Sequence, residues 1–229
     1  MKALSLPQAG ERDSAWLAGA EFAVVVALFV ADFNHHIYVS KTPYLFLLGW
    51  LSLRWRRLGW RGVGLARPVN WPKTIAIGVA CGIGLELLEL FVTQPVLVRV
   101  FHKIPDFSDL GELHGNRQLV LLYITLAWTL AAFGEEMVYR GYLMNRVAGL
   151  FRDPKVAWAV SLIVVSFAFG LGHIDQGITG QMENMINGLL LGVIFLATGC
   201  NLWAAIIAHG LGDTIDLVLL YLGKYPMRR

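Results

Sequence analysis

Six side chains stand where charge is expensive. Glu135, Glu136, Arg140, His173, His209 and Asp213 all fall within, or at the edges of, strongly apolar stretches. An ionisable group in a bilayer core costs a few kcal/mol, so each one is a functional candidate by default. Glu136 and Arg140 are four residues apart and neutralise each other if the segment is helical. Glu135 then lies about 100° further round the helix. It is left without that cation and is suited to take a proton from a water as a general base. His173 ends the stretch Ser166-Phe-Ala-Phe-Gly-Leu-Gly-His, and His209 precedes Asp213 by four residues, on one helical face.

These groups lie far apart in sequence, so helices must bring them together. Asp153 and Pro154 make a turn between two apolar stretches. Counting back from that turn at 1.5 Å per residue places Glu135 ~22 Å along one arm, and counting forward places His173 ~27 Å along the other. The two differ by about one helical turn, so a tilted or staggered hairpin lets them meet. His209 lies about 12 Å into the last apolar run by the same rise. One carboxylate and two imidazoles can therefore surround a site the size of a water molecule, with Asp213 behind it.

Composition fixes the setting. Of 229 residues, 56% are hydrophobic and 15% charged, where a soluble domain has about 25% charged residues. Mean hydropathy is +0.58, and the apolar runs approach the roughly 20 residues a membrane helix needs. The expectation is an all-α, polytopic transmembrane helical bundle, a single membrane domain over 1–229 with its catalytic helical core at 118–222. The chain is expected to be a multi-pass protein of the plasma membrane. The net charge of +3 does not indicate nucleic acid, because the basic residues cluster at the ends of apolar runs as topology signals. Cys81 and Cys200 sit in apolar settings and read as small buried hydrophobes. Met1 to Ser14 lacks the pattern of a removable signal peptide.

The apolar runs are Trp16 to Phe33, Pro43 to Leu53, Thr74 to Val92, a long stretch from Gln118 to about Leu150, Lys155 to His173, Gln181 to Thr198 and Asn201 to Leu222. Seven spans follow, or eight if the mixed segment Thr93 to Arg117 hides one. Between the second and third runs Arg54, Arg56, Arg57, Arg61, Arg67 and Lys73 occur with no acidic residue among them, which makes that loop cytoplasmic by the positive-inside rule. Lys224, Arg228 and Arg229 then fall on the outer side. Trp50, Trp55, Trp60 and Trp71 flank the loop as interfacial anchors. Gly188 and Gly192 suit a close helix contact.

At its polar residues the chain resembles the CPBP intramembrane glutamic endopeptidases, a family that includes the type II CAAX prenyl proteases and bacteriocin-processing or self-immunity proteins. The matching motifs are Glu-Glu-x-x-x-Arg (Glu135, Glu136, Arg140), Phe-x-x-x-His (Phe169, His173) and His-x-x-x-Asn/Asp (His209, Asp213). They span about Leu119 to Leu217. The resemblance implies a bundle of about eight helices and a peptidase that needs no metal and no cofactor. It implies that Glu135 activates a water which His173 helps to hold, and that His209 and Asp213 stabilise the oxyanion, with Glu136 and Arg140 in support. Many prenyl proteases of the family have Asn where this chain has Asp213, and an ionised carboxylate cannot donate to an oxyanion. Asp213 must either carry a proton or act by orienting His209, as a buried Asp serves a catalytic His elsewhere. The implied partners are the lipid bilayer and a membrane-associated peptide or protein. A prenylated tail, a peptide leader and a sorting anchor all fit that description.

Plainer readings compete. The Glu136 and Arg140 group alone could be a packing ion pair, and a single membrane histidine is commonly an interhelical hydrogen-bonding residue. Two histidines and a glutamate also form the ligand set of some catalytic zinc sites, although no His-Glu-x-x-His helix is present. A non-catalytic immunity or binding protein, and a proton-coupled transporter, complete the alternatives. His35, His36, His102 and His114 lie in polar connections and are assigned no chemistry. Glu86 and Glu89 are expected to face the bundle interior near Arg or Lys, to line a water path, or, for Glu89, to approach the interface.

Overall fold

Apolar runs close their backbone hydrogen bonds internally, as a span in lipid must, and the computed structural model describes residues 14–37 and 40–226 as helices joined by short connections. Met1 to Asp13, Arg228 and Arg229 lie outside the described residues. The helices are α1 (Ala15–Phe33), α2 (Thr42–Trp55), α3 (Trp71–Phe101), α4 (Arg117–Ala148), α5 (Pro154–Leu171), α6 (Gly177–Ala197) and α7 (Leu202–Tyr221). Asn70, Asn116, Asp153 and Asn201 cap the starts of α3, α4, α5 and α7 through their side-chain oxygens, satisfying amides that helix starts leave free.

Among the described residues six helices are long and apolar enough to cross a membrane, so the expected seven or eight spans are not confirmed. The difference lies in α2, whose 14 residues reach only about 21 Å at 1.5 Å per residue. The Thr93 to Arg117 segment adds no span. Instead α3 continues through Pro95 to Phe101, because Glu89–Thr93 forms a π-helical turn just before it. A wider turn of this kind absorbs the missing amide and the ring of a proline that an unbroken α-helix would not tolerate.

Two ends of the bundle are defined by contacts between connections. At one end the basic loop meets the α6–α7 turn, where Leu202 N donates to Gly64 O and Asn201 Nδ2 to Ala66 O, both at 3.0 Å. The start of α1 belongs to the same end, through the ion pair of Glu21 with Arg146. At the other end Lys41 Nζ donates to Gly172 O at 2.7 Å, Asp106 N to Gln176 O at 3.1 Å and Gly115 N to Tyr221 O at 3.0 Å. Short α2 therefore carries the chain back from the second end to the basic one, and Lys224 stands at the end opposite the basic loop.

Glycines set the closest approaches. A Cβ at Gly78 would lie 2.7 Å from Ile207 and one at Gly82 2.8 Å from the Ala208 carbonyl, so these glycines let α3 lie directly on α7. Gly170, Gly188 and Gly192 do the same between α5 and α6, where Gly188 faces Phe169 and Gly192 faces Leu162. Small residues replace the missing hydrophobic drive between helices in lipid.

Candidate active site

The middle of α4 is not an α-helix. Ala127–Met144 winds as a π-helix, an i→i+5 form that is rare and concentrated at functional positions. The stretch holds Glu135, Glu136 and Arg140, so the 100° spacing expected between the two glutamates does not apply. The pair survives the change: Arg140 Nη1 donates to Glu136 Oε1 at 2.6 Å, with both residues buried.

Arg140 is the hub of the support. Its Nη2 donates to the Gly188 carbonyl at 2.9 Å, and its guanidinium stacks 4.7 Å over the ring of Phe169. Phe169 is almost fully buried and also meets Tyr139 edge-on at 4.9 Å, His173 at 4.8 Å and His209 at 6.0 Å. This one ring touches the Arg140 guanidinium and packs against both imidazoles.

His173 lies in the turn just past α5. Its Nδ1 donates to the Phe169 carbonyl at 2.8 Å, which leaves Nε2 as the free nitrogen. Burial pushes this imidazole below its ordinary value, with nearby Glu135 opposing, so the neutral ring prevails at neutral pH. The turn is tied down by Lys41, which pairs with Asp32 at 2.8 Å while donating to Gly172 O. His209 Nδ1 donates to Glu136 Oε1 at 3.0 Å, and its Nε2 lies 3.7 Å from Asp213 Oδ1. Glu135 Oε1 accepts a long 3.4 Å hydrogen bond from Thr42 Oγ1, at the start of α2.

Glu135, His173, His209 and Asp213 line one cavity of about 250 Å³, bounded also by α3 and α6. Glu136 and Arg140 lie behind it, in the wall. Among the described residues no three His, Cys, Asp or Glu side chains are grouped so as to hold a metal ion. Glu86 and Glu89 do line the cavity, but none of the lining residues is Arg or Lys; Glu89 instead accepts from Asn187 Nδ2 on α6. Sequence reasoning missed Glu183, Asn187 and Asp216 in the same lining. The intramembrane-charge argument that selected Glu135 applied equally to Glu183 and Asp216. Lys41 and Thr42 carried no such signal, since a loop lysine and threonine are ordinary.

The fold and cavity define an integral, multi-pass helical membrane protein with a buried acid–imidazole centre. Residues 117–215 match the family model described as type II CAAX prenyl endopeptidase Rce1-like, which supports the CPBP/CAAX protease family for this chain and implies a protease. The matched segment runs from the start of α4 into α7 and contains all six polar residues singled out above. No curated protein and no solved structure matches the chain.

Proposed function

We propose that the chain is a glutamic intramembrane endopeptidase that cuts a peptide bond in a membrane-associated protein or peptide. One observation carries the reading: Glu135, His173, His209 and Asp213, drawn from α4, the α5–α6 turn and α7, share a single cavity.

In this mechanism a water sits between the Glu135 carboxylate and His173 Nε2, which is free to accept because Nδ1 is committed to the Phe169 carbonyl. Glu135 removes a proton as the water oxygen attacks the peptide carbonyl carbon. The C=O π pair moves onto oxygen, and His209, protonated at Nε2 and fixed through Nδ1 by Glu136, donates to that oxyanion. Such a donor is worth far more in a dry site than in water. The oxyanion then collapses, the C–N bond breaks, and the proton held by Glu135 passes to the departing nitrogen. Asp213, 3.7 Å from Nε2, orients the His209 ring and yields that nitrogen to the oxyanion.

The test is reconstitution of the purified protein in vesicles with membrane-associated peptides, with products read by mass spectrometry. A product cut at one defined bond, absent with Glu135→Gln and with His173→Ala, supports the reading. Normal cleavage by either folded variant overturns it.

A further inference from the structure

The chemistry proposed above uses one end of the cavity, and the other end is more acidic than that chemistry requires. Glu86 and Glu89 from α3, Glu183 from α6 and Asp216 from α7 line the same cavity as Glu135 and Asp213. Among the described lining residues the only basic side chains are His173 and His209. Glu86 and Glu183 are 5% and 3% exposed, and each has an Oε1 that is buried without a hydrogen-bond partner, as is Asp216 Oδ1. Unsatisfied carboxylate oxygens in a dry interior are costly, and here three of them belong to residues facing one void.

The helices place these acids deliberately. Gly78 and Gly82 press α3 against α7, and the same face continues to Glu86 and Glu89. A Cβ at Gly212 would lie 3.4 Å from Glu86 Oε2, so Glu86 lies on the bare backbone one residue before Asp213. Glu183 reaches in from α6, one helical turn before Asn187, which holds Glu89.

Resting on the peptidase reading, we infer that this acidic end is a subsite for a basic side chain, Lys or Arg, of the polypeptide that is cut. An ammonium or guanidinium supplies donors to the Glu86, Glu183 and Asp216 oxygens that have none, and charge-assisted bonds of this kind are the strong ones. The grouping of acids does not match a metal site, whereas a long cationic side chain can reach carboxylates spread over three helices. Because the subsite shares its void with Glu135, a bound cation fixes the register of the backbone carbonyl before the water, which is the positioning that peptide hydrolysis needs.

The experiment uses the wild-type protein in vesicles and two membrane-associated peptides that differ only in Lys against norleucine near the cut bond. Binding is read by fluorescence anisotropy and cleavage by mass spectrometry. The expected result is a preference for the lysine peptide of at least about tenfold in both readouts. Isosteric Glu183→Gln and Asp216→Asn should each reduce that preference while the norleucine peptide is cut as before. Equal binding of the two peptides by wild type overturns the inference and leaves acids that share protons among themselves. If the lysine peptide binds preferentially but neither is cut, the subsite stands and the peptidase reading fails; if both are cut equally, the reverse holds.

Discussion

His209 hangs from Glu136: its Nδ1 donates at 3.0 Å to the same Oε1 that takes Arg140 Nη1 at 2.6 Å. The ion pair that reads as simple packing in the sequence is thus the mount for one imidazole, while the adjacent glutamate, Glu135, faces the cavity. On the proposed reading, two neighbouring acids divide support and chemistry between them.

Removing the base should stop the reaction and spare the fold. Glu135→Gln is expected to lower kcat by about 10²–10⁴, the usual loss for a general base, with Tm unchanged within error because its described hydrogen bond is the long one from Thr42. Single-turnover cleavage and thermal unfolding in detergent check both halves.

The mount should behave oppositely. Glu136→Ala leaves the Arg140 guanidinium, 1% exposed, without its carboxylate. Breaking a buried pair from one side costs about 3–5 kcal/mol, so Tm should fall sharply and activity with it.

Gly170 tests the α5–α6 seam. A Cβ there would stand 2.5 Å from the Gln181 carbonyl and 2.8 Å from Met185 Cβ, and backbone cannot yield as a flexible side chain can. Gly170→Ala should cost about 1–3 kcal/mol in overpacking. Because the residue precedes His173 by three, kcat should also drop; a Tm and rate equal to wild type would contradict the tight seam.

Acid should weaken the protein through His173. Burial lowers its folded value below the ordinary 6.5, so between those two values the unfolded chain binds more protons than the folded one. Stability from this group is complete above 6.5 and is lost as pH falls through the lowered value. The water-holding role also needs Nε2 unprotonated, so the pH–rate profile should show an acid limb below 6.5. A limb at or above 6.5 would contradict a buried, neutral ring.

Chelation separates glutamic from zinc chemistry. Cleavage by the purified protein should persist after exhaustive treatment with a chelator; loss of activity restored by Zn²⁺ would assign the site to metal-assisted hydrolysis.

Several elements were legible in sequence because their physics is local. Apolar run length predicted most of the helices, Asp153 and Pro154 marked the hairpin, and the four-residue spacing predicted the Glu136 and Arg140 pair. The length of α2 was not legible, since hydropathy sees the apolar Pro43 to Leu53 run but not that its helix stops after 14 residues. Nor was the π-helical winding around Glu135, because so rare a form has no spacing or hydropathy pattern of its own. The continuation of α3 past Pro95 was hidden for the same reason. The acids at the far end of the cavity were legible one by one, but their convergence depends on Gly78 and Gly82 closing α3 on α7, which no pattern within a single helix reports.

The brevity of α2 has a bearing on the lipid around it. Its first turn starts level with Glu135, to which Thr42 is bonded. A hydrocarbon layer about 30 Å thick therefore meets, on that flank, a helix about 21 Å long. Headgroups must dip or acyl chains must shorten there to cover the difference. A bilayer thinned on that flank would bring the aqueous phase nearest to Glu135, so the thickness of the host bilayer would act on how readily the proposed site is hydrated.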